Sequence, residues 1–514
     1  MKLLLVTILV FVSSLTFGQN LKFKIRNHND TTVHLVRYLG KGLYYADTAE
    51  MKNGVVVFDG SKQKNGMLAL FLPDQKMLEF IYNDEEVFLE ATYPDLLGTT
   101  KIIKSEENKI FKAYVNMLNT ERSKAMNFKQ QLEQYEKGSK EYEGLTEQMK
   151  KTNDGVLAYQ QNTVDKHSDM LVGKIVKMSM DIVIPDPPKD ENGVITDSNF
   201  SFNYYRSHYF DNFDFTDDRL VRTPIFHSKL ASYFDKNMLV PHCDSVIKYA
   251  FDLCDRLSDT SETYQYTVSW ITSHYEKSKI MNMDKVFVSM AKRYYCPRDE
   301  KGNPKAFWVP KKSLTSICEK AQKNENLVFG MRPPNIILRD TTDSNWQDFY
   351  SLDNEFTILY FWDPECGHCK KITPKLQTLY SKKFKDRNID IFAVGKAVGD
   401  DFGKWKAFIK KHNLEFHNVA VTDRLYRDAS DTTNHQAKLQ ELLRTTTIQS
   451  LNYQQTYDIY TTPRVFVLDK DKKIIAKSLS VSQLENLMDR LQGKKDTEIL
   501  FPAAEEDPED SKMH

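Results

Sequence analysis

Two cysteines separated by two residues are the part of this sequence best suited to do chemistry. Cys366-Gly367-His368-Cys369 follows the apolar run from Thr357 to Trp362 and leads into a predicted helix. At a helix N-terminus, unpaired backbone amides and the helix dipole stabilise a thiolate, so we expect Cys366 to have a lowered pKa and to act as a nucleophile. Cys369, one turn deeper, would then resolve the mixed disulfide. The motif therefore predicts thiol–disulfide exchange.

His368 lies between the two cysteines and would add to their reactivity. When protonated, it stabilises the Cys366 thiolate, which favours the reduced form and makes the disulfide more oxidising. A half zinc site and a static disulfide are the other interpretations of such a pair. Zinc needs two further ligands, usually a second Cys-x-x-Cys or a pair of histidines, and the sequence offers no such pair. We therefore predict a redox pair without a metal or another cofactor.

The elements around the motif alternate between strand and helix. From about Asn335 the apolar runs and helical segments follow the order of a βαβ unit, which predicts an α/β domain with a parallel sheet. Arg464 to Asp469 and Ile474 to Lys477 predict a closing hairpin. Ser482 with Glu485 predicts a capping box at the start of a last helix. These elements would hold the cysteine pair where a buried strand meets a helix.

Two prolines complete a set that resembles the thioredoxin fold: Pro374, five residues after the second cysteine, and Pro463 in Thr461-Thr462-Pro463. The resemblance implies that Pro374 kinks the active-site helix. It also implies that Pro463 is a cis-proline facing the disulfide, and that Thr462 supplies the backbone that pairs with a bound substrate. The additional strands before the motif and the long segment before Pro463 are more similar to the exported TlpA/ResA-type branch, over roughly Asn335 to Leu491.

The sequence departs from that family around the cysteines. Tyr360 stands where thioredoxins have a buried acid. TlpA-type proteins take a carboxylate from the preceding hairpin, and Asp348 is the nearest match, so the resemblance implies that Asp348 is a proton acceptor. Glu365 replaces the usual tryptophan before the first cysteine, and its charge would oppose thiolate formation. A peroxiredoxin-like peroxidase is an alternative, but it requires Thr or Ser where this sequence has Asp363.

The N-terminal segment has the order of a secretory signal peptide: Lys2, the apolar run Leu3 to Val12, then small and polar residues up to Gly18. We predict cleavage after Gly18, since the apolar run is shorter than the ~20 residues that span a bilayer. No later stretch reaches that length, so no stable membrane span is expected. The predicted location is the periplasm or cell envelope, an oxidising compartment in which thiols form disulfides.

The rest of the chain is predicted to form accessory domains. Short apolar runs with turn residues between them predict an antiparallel β-sandwich or barrel, and the following spacing of three and four predicts helices. The five clearest predicted strands are Val33–Tyr38, Val55–Phe58, Met67–Leu72, Met77–Tyr82 and Val87–Ala91. The predicted division is signal peptide 1–18, β-sandwich 19–104, α-helical domain 105–330, thioredoxin-like domain 331–495 and acidic disordered tail 496–514.

Composition limits the partners. Lys plus Arg total 71 and Asp plus Glu total 71 in 514 residues, so the basic excess that nucleic-acid binding requires is missing. We expect partners that carry protein thiols or disulfides and a membrane electron donor if the pair acts as a reductant. The direction of the reaction, the substrate and the oligomeric state stay open. The rival from another class is an envelope binding or scaffold protein that carries an accessory thioredoxin module.

Four further cysteines lie in the predicted helical region: Cys243, Cys254, Cys296 and Cys318. Four cysteines allow three pairings. If Cys243 and Cys254 share one straight helix, about 16 Å of rise separates them, which excludes a bond between them. Pairing with Cys296 or Cys318, and buried free thiols, both stay open.

Overall fold

A computed structural model describes residues 20–235, 238–431, 435–494 and 498–503 of the chain. The predicted signal peptide therefore lies outside the described residues, as do residues 496, 497 and 504–514 of the predicted tail. The described residues form two compact units, one of residues 20–240 and 252–267 and the other of residues 241–251 and 268–503. The helical region contributes to both units, so the predicted boundaries at 104 and 330 stay predictions. Among the described helices, none has the length and apolarity needed to cross a membrane.

The N-terminal part is a β-sandwich. Its elements are β1 Asn20–Arg26, β2 Thr32–Leu39, β3 Gly42–Glu50, β4 Val55–Asp59, β5 Gly66–Phe71, β6 Met77–Tyr82, β7 Val87–Thr92, α1 Leu96–Thr99 and β8 Lys101–Lys104. One sheet has the order β4-β1-β7-β8 and the other β3-β2-β5-β6. Alternate residues of β1 are buried, and its Phe23 meets Phe80 of the second sheet with ring centroids 5.1 Å apart. The predicted sandwich and its five predicted strands are confirmed.

One strand pair of the sandwich differs from the predicted antiparallel arrangement. β1 and β7 run parallel, with Leu21 opposite Val87 and Arg26 opposite Thr92. The alternation of apolar and polar residues is the same whichever way a strand runs. It therefore predicts the buried face of a strand but not its direction.

The central region is helical. Its helices are α2 Glu106–Leu132, α3 Lys140–Lys166, α4 Leu171–Ser179, α5 Phe200–His208, α6 Pro224–Asp235, α7 Cys243–Cys254, α8 Glu262–Glu276, α9 Asp284–Met290 and α10 Lys311–Asn324. Cys243 and Cys254 do share one helix, α7, and both are buried cysteines that are not disulfide-bonded. Cys296 and Cys318 form a disulfide. The structure thus agrees with buried thiols at Cys243 and Cys254, and it pairs Cys296 with Cys318 rather than either of them with Cys243 or Cys254.

Two loops of the helical region contain closely similar hairpins, which we call the first hairpin (188–196) and the second hairpin (297–305). In each, an aspartate side chain, Asp190 or Asp299, accepts a hydrogen bond from the backbone N–H four residues later, at 2.8 Å and 2.7 Å. Each hairpin also contains one isolated antiparallel bridge. Both turn at a glycine with positive φ, at 80° in Gly193 and in Gly302.

The C-terminal domain is a seven-stranded sheet of order β10-β9-β13-β12-β11-β14-β15 between helices. Its elements are β9 Ile337–Asp340, β10 Trp346–Asp348, β11 Phe356–Trp362, α11 Gly367–Leu379, β12 Ile389–Ala397, α12 Asp401–His412, β13 His417–Thr422, α13 Asp423–Ser430, α14 His435–Leu442, α15 Ile448–Leu451, α16 Tyr453–Thr456, β14 Arg464–Leu468, β15 Ile474–Lys477 and α17 Val481–Leu491. β11 pairs parallel with β12, and β12 with β13, which confirms the parallel core.

β11 is the central strand of this domain and is buried along its whole length. Its residues alternate between two cores. Ile358, Tyr360 and Trp362 pack in the core that contains α11, α12 and α17, whereas Leu359 and Phe361 pack in the core on the other face of the sheet. A strand covered on both faces gives a continuous apolar run, which is what the sequence shows. The strand therefore ends at a fixed position directly before the cysteine pair.

The end of the chain differs from the prediction in two respects. The capping box of α17 consists of Ser480 and Gln483, two residues before the predicted pair. Glu485 is instead fully buried, and its carboxylate accepts hydrogen bonds from the backbone N–H groups of Leu500 (2.8 Å) and Phe501 (2.9 Å). Residues 498–503 are thus ordered, because Leu500 and Phe501 pack on the apolar core.

Candidate active site

Cys366 is the N-cap residue of α11, in the short turn that follows β11. Asp363 builds this turn: its carbonyl accepts from the N–H of Cys366 at 3.1 Å, and its carboxylate accepts from the N–H of Glu365 at 2.8 Å. Pro374 lies inside α11, as predicted. The turn places the first sulfur at the end of the helix where backbone N–H groups have no partner within the helix.

The Cys366 thiol is partly exposed and held in a polar setting. Its Sγ lies 3.3 Å from the carbonyl oxygen of Thr462. Burial alone would raise the pKa of this thiol, but hydrogen bonds outweigh it, including those from the backbone N–H groups of Cys369 and His368, and the pKa is lowered. Cys366 is therefore accessible and readily ionised, the two properties that a nucleophilic cysteine needs.

The Cys369 thiol has the opposite environment. It is fully buried in the core beneath α11, and burial raises its pKa to about 12. The backbone N–H of Asp363 lies 3.5 Å from its sulfur. In the same core, the buried hydroxyl groups of Tyr360 and Thr373 lie 2.8 Å apart. Tyr360 thus occupies the position of the missing acid with a neutral, hydrogen-bonded hydroxyl group.

Thr462 and Pro463 face the cysteines from the start of β14. The peptide bond between them is cis, as the resemblance implied. Beside Thr462 lies a cleft of about 210 Å³. Its walls combine aromatic, apolar and charged side chains: Phe361, Trp362, Asp363, Lys396, Tyr453, Gln454, Ile459 and Tyr460. A substrate chain next to Cys366 would therefore meet both an apolar wall and a charged one.

Glu365 is paired with two lysines that no sequence pattern indicated. One carboxylate oxygen lies 3.5 Å from the ammonium of Lys370, and the other lies 3.3 Å from that of Lys404. A hydrogen bond from Lys404 and the charge of Lys370 lower the pKa of Glu365, so it is ionised at neutral pH. The charge beside Cys366 is therefore present, as predicted, but compensated.

The structure brings five of the six predicted site residues together: Cys366, Cys369, His368, Thr462 and Pro463. Asp348 has other partners. Its carboxylate caps the 3-10 turn Phe349–Ser351 by accepting from the N–H of Ser351 at 2.9 Å, and it also accepts from the side chain of Asn335 at 3.2 Å. Its predicted role as proton acceptor gains no support from these contacts.

One group of side chains in the helical region has the composition of a metal site. Ligand atoms of His242, Cys243 and Asp244 all lie within 4.8 Å of one another. The carboxylate of Asp244 is, however, 2.8 Å from the ammonium of Lys285. A cation already neutralises that ligand, so we assign no metal to this group.

Comparison with known proteins agrees with the fold and the motif. Residues 354–474 match a family model described as thioredoxin-like. Residues 20–111 and 185–324 match two families described as domains of unknown function, DUF4369 and DUF5106.

Two curated relatives are named for redox function or secretion. The thiol-disulfide oxidoreductase ResA of Bacillus thuringiensis subsp. konkukian is 24% identical over 170 residues, which are 33% of this chain and 80% of that protein. The soluble secreted antigen MPT53 of Mycobacterium tuberculosis is 32% identical over 76 residues, which are 15% of this chain and 41% of that protein.

Solved structures resemble parts of the chain. A domain of a possible thiol-disulfide isomerase from Cytophaga hutchinsonii is 31% identical, with a TM-score of 0.25, and the match covers 34% of this chain and 100% of that one. A thioredoxin-like protein from Bacteroides caccae is 13% identical, with a TM-score of 0.40, over 60% of this chain and 97% of that one. Residues 354–474 therefore form a thioredoxin-like domain, and the C-terminal part of the chain is similar to a thiol-disulfide oxidoreductase.

Proposed function

We propose that this chain is an exported thiol:disulfide oxidoreductase of proteins, with Cys366 as nucleophile and Cys369 as resolving thiol. The contrast between the two sulfurs supports this assignment most directly. Cys366 is accessible with a lowered pKa, whereas Cys369 is buried and its pKa is raised to about 12. A partly exposed thiol with a lowered pKa is the better nucleophile, whereas a buried and protonated thiol does not meet the substrate.

The exchange runs in two balanced steps. The Cys366 thiolate attacks one sulfur of a substrate disulfide, forms a mixed disulfide and releases the other substrate sulfur as a thiolate. Cys369 then loses its proton and attacks Cys366 Sγ, which forms the Cys366–Cys369 disulfide and releases the second substrate sulfur. The substrate gains two electrons and the cysteine pair loses two. The reverse sequence oxidises a substrate dithiol.

Thr462 is suited to orient the substrate in this reaction. Its carbonyl oxygen is 3.3 Å from Cys366 Sγ, so a chain bonded to that sulfur passes beside the Thr462 backbone. The cleft next to Thr462 would take the residues that flank the substrate cysteine. Asp363, which stands where a peroxidase needs Thr or Ser, directs its carboxylate to the Glu365 N–H and to Lys396 instead. The geometry therefore favours disulfide exchange over peroxide reduction.

Three observations support export. The sequence begins with the predicted signal peptide, the helical region holds the Cys296–Cys318 disulfide, and one relative is described as a soluble secreted antigen. Disulfides persist in oxidising compartments and are rare in the cytosol. In the reducing direction, a membrane electron donor would return electrons to the pair.

Trapping of partners tests the proposal. With Cys369→Ser, the mixed disulfide has no resolving thiol, so we expect proteins to accumulate on Cys366 in the cell envelope. They should be released by a reductant and identified by mass spectrometry. The matched control is the double variant Cys366→Ser and Cys369→Ser, which should trap nothing.

A second measurement separates exchange from simple binding. The Cys366–Cys369 pair should equilibrate with a glutathione buffer, and the position of that equilibrium gives its reduction potential and hence its direction. If no partner is trapped and the pair does not equilibrate, the proposal is wrong. A binding or scaffold protein would instead keep its partners when both cysteines are replaced by serine.

A further inference from the structure

A carboxylate directly beside the nucleophile disfavours ionisation of the Cys366 thiol. In the structure, two ion pairs compensate the charge of this carboxylate, Glu365. Glu365 is half-exposed, and each of its carboxylate oxygens lies near a different lysine. Lys370 comes from α11, the helix that carries the cysteines. Lys404 comes from α12, the next helix along the chain. The carboxylate is therefore held between two helices.

Lys404 belongs to a longer chain of alternating charges. Its ammonium also lies 3.6 Å from Asp401, Asp401 lies 3.1 Å from Lys396, and Lys396 lies 3.5 Å from Asp363. We call these groups, from Glu365 through Lys404, Asp401 and Lys396 to Asp363, the ion-pair chain. Both ends of the ion-pair chain, Glu365 and Asp363, lie in the turn that places Cys366. Ion pairs therefore connect this turn to α12 and β12.

Packing fixes the helix that supplies Lys404. Trp405, the next residue, is fully buried, and Phe408 packs on Trp362 at the end of β11 with ring centroids 5.2 Å apart. The helix that carries Lys404 thus packs in the same core as β11, the strand before the cysteines.

We propose that Lys404 is a positioning residue for the exchange reaction: it holds the Glu365 carboxylate on the α12 side and compensates its charge, so that the Cys366 thiolate forms readily. This inference rests on the proposed function, since it concerns the same nucleophile. Without Lys404, the carboxylate would keep only Lys370, and its charge would act against the thiolate.

Other charged and titratable groups lie near Cys366 or Glu365 as well. Cys369 and the backbone of His368 hydrogen-bond the Cys366 thiol, and the Tyr360 hydroxyl interacts with its charge. Lys370, Lys404, Asp401, Lys396 and Asp363 belong to the ion pairs around Glu365. A change of the lysine could therefore act through its own charge rather than through Glu365. A double substitution distinguishes the two effects. The effect through Glu365 requires the carboxylate, whereas a direct effect of the Lys404 charge does not.

The test measures alkylation of Cys366 by iodoacetamide in the reduced full-length protein, as a function of pH. Lys404→Met should raise the pH at which Cys366 becomes reactive and slow the reaction at pH 7 by about threefold, the size expected for a half-exposed ion pair. In the Glu365→Gln background, the same substitution should change the rate by less than half as much. Lys404→Arg should keep the wild-type rate.

Lys410→Met is the matched control, since it removes the same charge from the far part of α12 and should leave the profile unchanged. The proposal is overturned if Lys404→Met has no effect, or if its effect is equal with and without Glu365. Alkylation needs no substrate protein, so this test can fail while partners are still trapped on Cys366. Conversely, trapping can fail while the alkylation profile behaves as expected.

Discussion

One four-residue motif places two sulfurs in opposite environments. Cys366 lies at the exposed end of α11, whereas Cys369 is fully buried one turn later. The sequence could predict this difference because helix geometry alone places the first cysteine among free backbone N–H groups. It could not predict the pairing of Glu365 with Lys404, because the two residues are distant in the chain and meet only through the packing of α12.

Selective alkylation tests the contrast between the two thiols. Because the pKa of Cys366 is lowered, a larger fraction of this thiol is ionised at neutral pH than of an ordinary cysteine, and that fraction falls as the pH falls through the lowered value. Cys369 stays protonated until about pH 12. Peptide mapping of the reduced protein at pH 7 should find iodoacetamide on Cys366 and little on Cys369. Equal labelling of the two cysteines would contradict the assignment of nucleophile and resolving thiol.

The hydroxyl pair of Tyr360 and Thr373 gives a second prediction at this scale. Both side chains are fully buried, and their oxygens lie 2.8 Å apart. Tyr360→Phe leaves the Thr373 hydroxyl without that partner, so the free energy of unfolding should fall by about 1 kcal/mol. Urea unfolding measures the change. Tyr460→Phe is the control, because Tyr460 is 80% exposed and its hydroxyl should not matter.

At the scale of elements, the sequence predicted most of the sites where strands and helices form. The sequence did not predict the roles of two carboxylates correctly. Asp348 looked like a carboxylate for catalysis but caps a 3-10 turn, and Glu485 looked like a capping residue but is buried. A carboxylate can cap, pair or accept a proton with the same local sequence. Only its surroundings in the fold decide which of these it does.

Glu485 should be critical for the end of the chain. It is fully buried, pairs with Lys383 and accepts from the backbone N–H groups of Leu500 and Phe501. Glu485→Ala removes one of the two carboxylates that pair with the Lys383 ammonium, which keeps Asp489, and it leaves two backbone donors without an acceptor. We therefore expect a loss of about 3 kcal/mol in unfolding free energy. Calorimetry measures it, and limited proteolysis should then cut within residues 498–503. The exposed residue Glu498, changed to Ala, should have neither effect.

The disulfide gives another prediction for an element. Cys296 and Cys318 join the chain before the second hairpin to helix α10, 22 residues later. Replacing both by serine should lower the stability of the helical region by about 3 kcal/mol, since a loop of this length is no longer closed in the unfolded chain. Calorimetric melting of the oxidised protein and the variant measures it. Free Cys318 in peptide maps of unreduced protein would contradict the pairing.

At the scale of the molecule, the C-terminal sheet continues into the residues before it. The N–H of Gly330 donates to Ile474 at 2.8 Å, and the N–H of Ile474 donates to Met331 at 2.9 Å. Lys477 donates to the carbonyl of Leu327 and pairs with Asp284. The resemblance to the thioredoxin fold starts at about Asn335 and so omits these contacts. No motif marks the two backbone hydrogen bonds, because such bonds depend little on residue type.

Truncation tests this continuity. A chain that begins at residue 335 leaves one edge of β15 unpaired, whereas one that begins at residue 241 keeps the contacts. Each lost hydrogen bond contributes about 1 kcal/mol, so we expect the shorter chain to unfold at a lower urea concentration and to aggregate more readily through the free edge. Equal midpoints for the two truncated chains would show that the contacts add nothing.

The two hairpins of the helical region provide an internal reference for redox state. They have the same type of turn, but only the second lies between disulfide-bonded cysteines. A reducing buffer breaks the Cys296–Cys318 disulfide that encloses the second hairpin, whereas no disulfide encloses the first hairpin. The ratio of protease cleavage at residues 297–305 to cleavage at residues 188–196 should therefore rise on reduction. One peptide digest would thus report whether a sample of this protein was oxidised, without a separate standard.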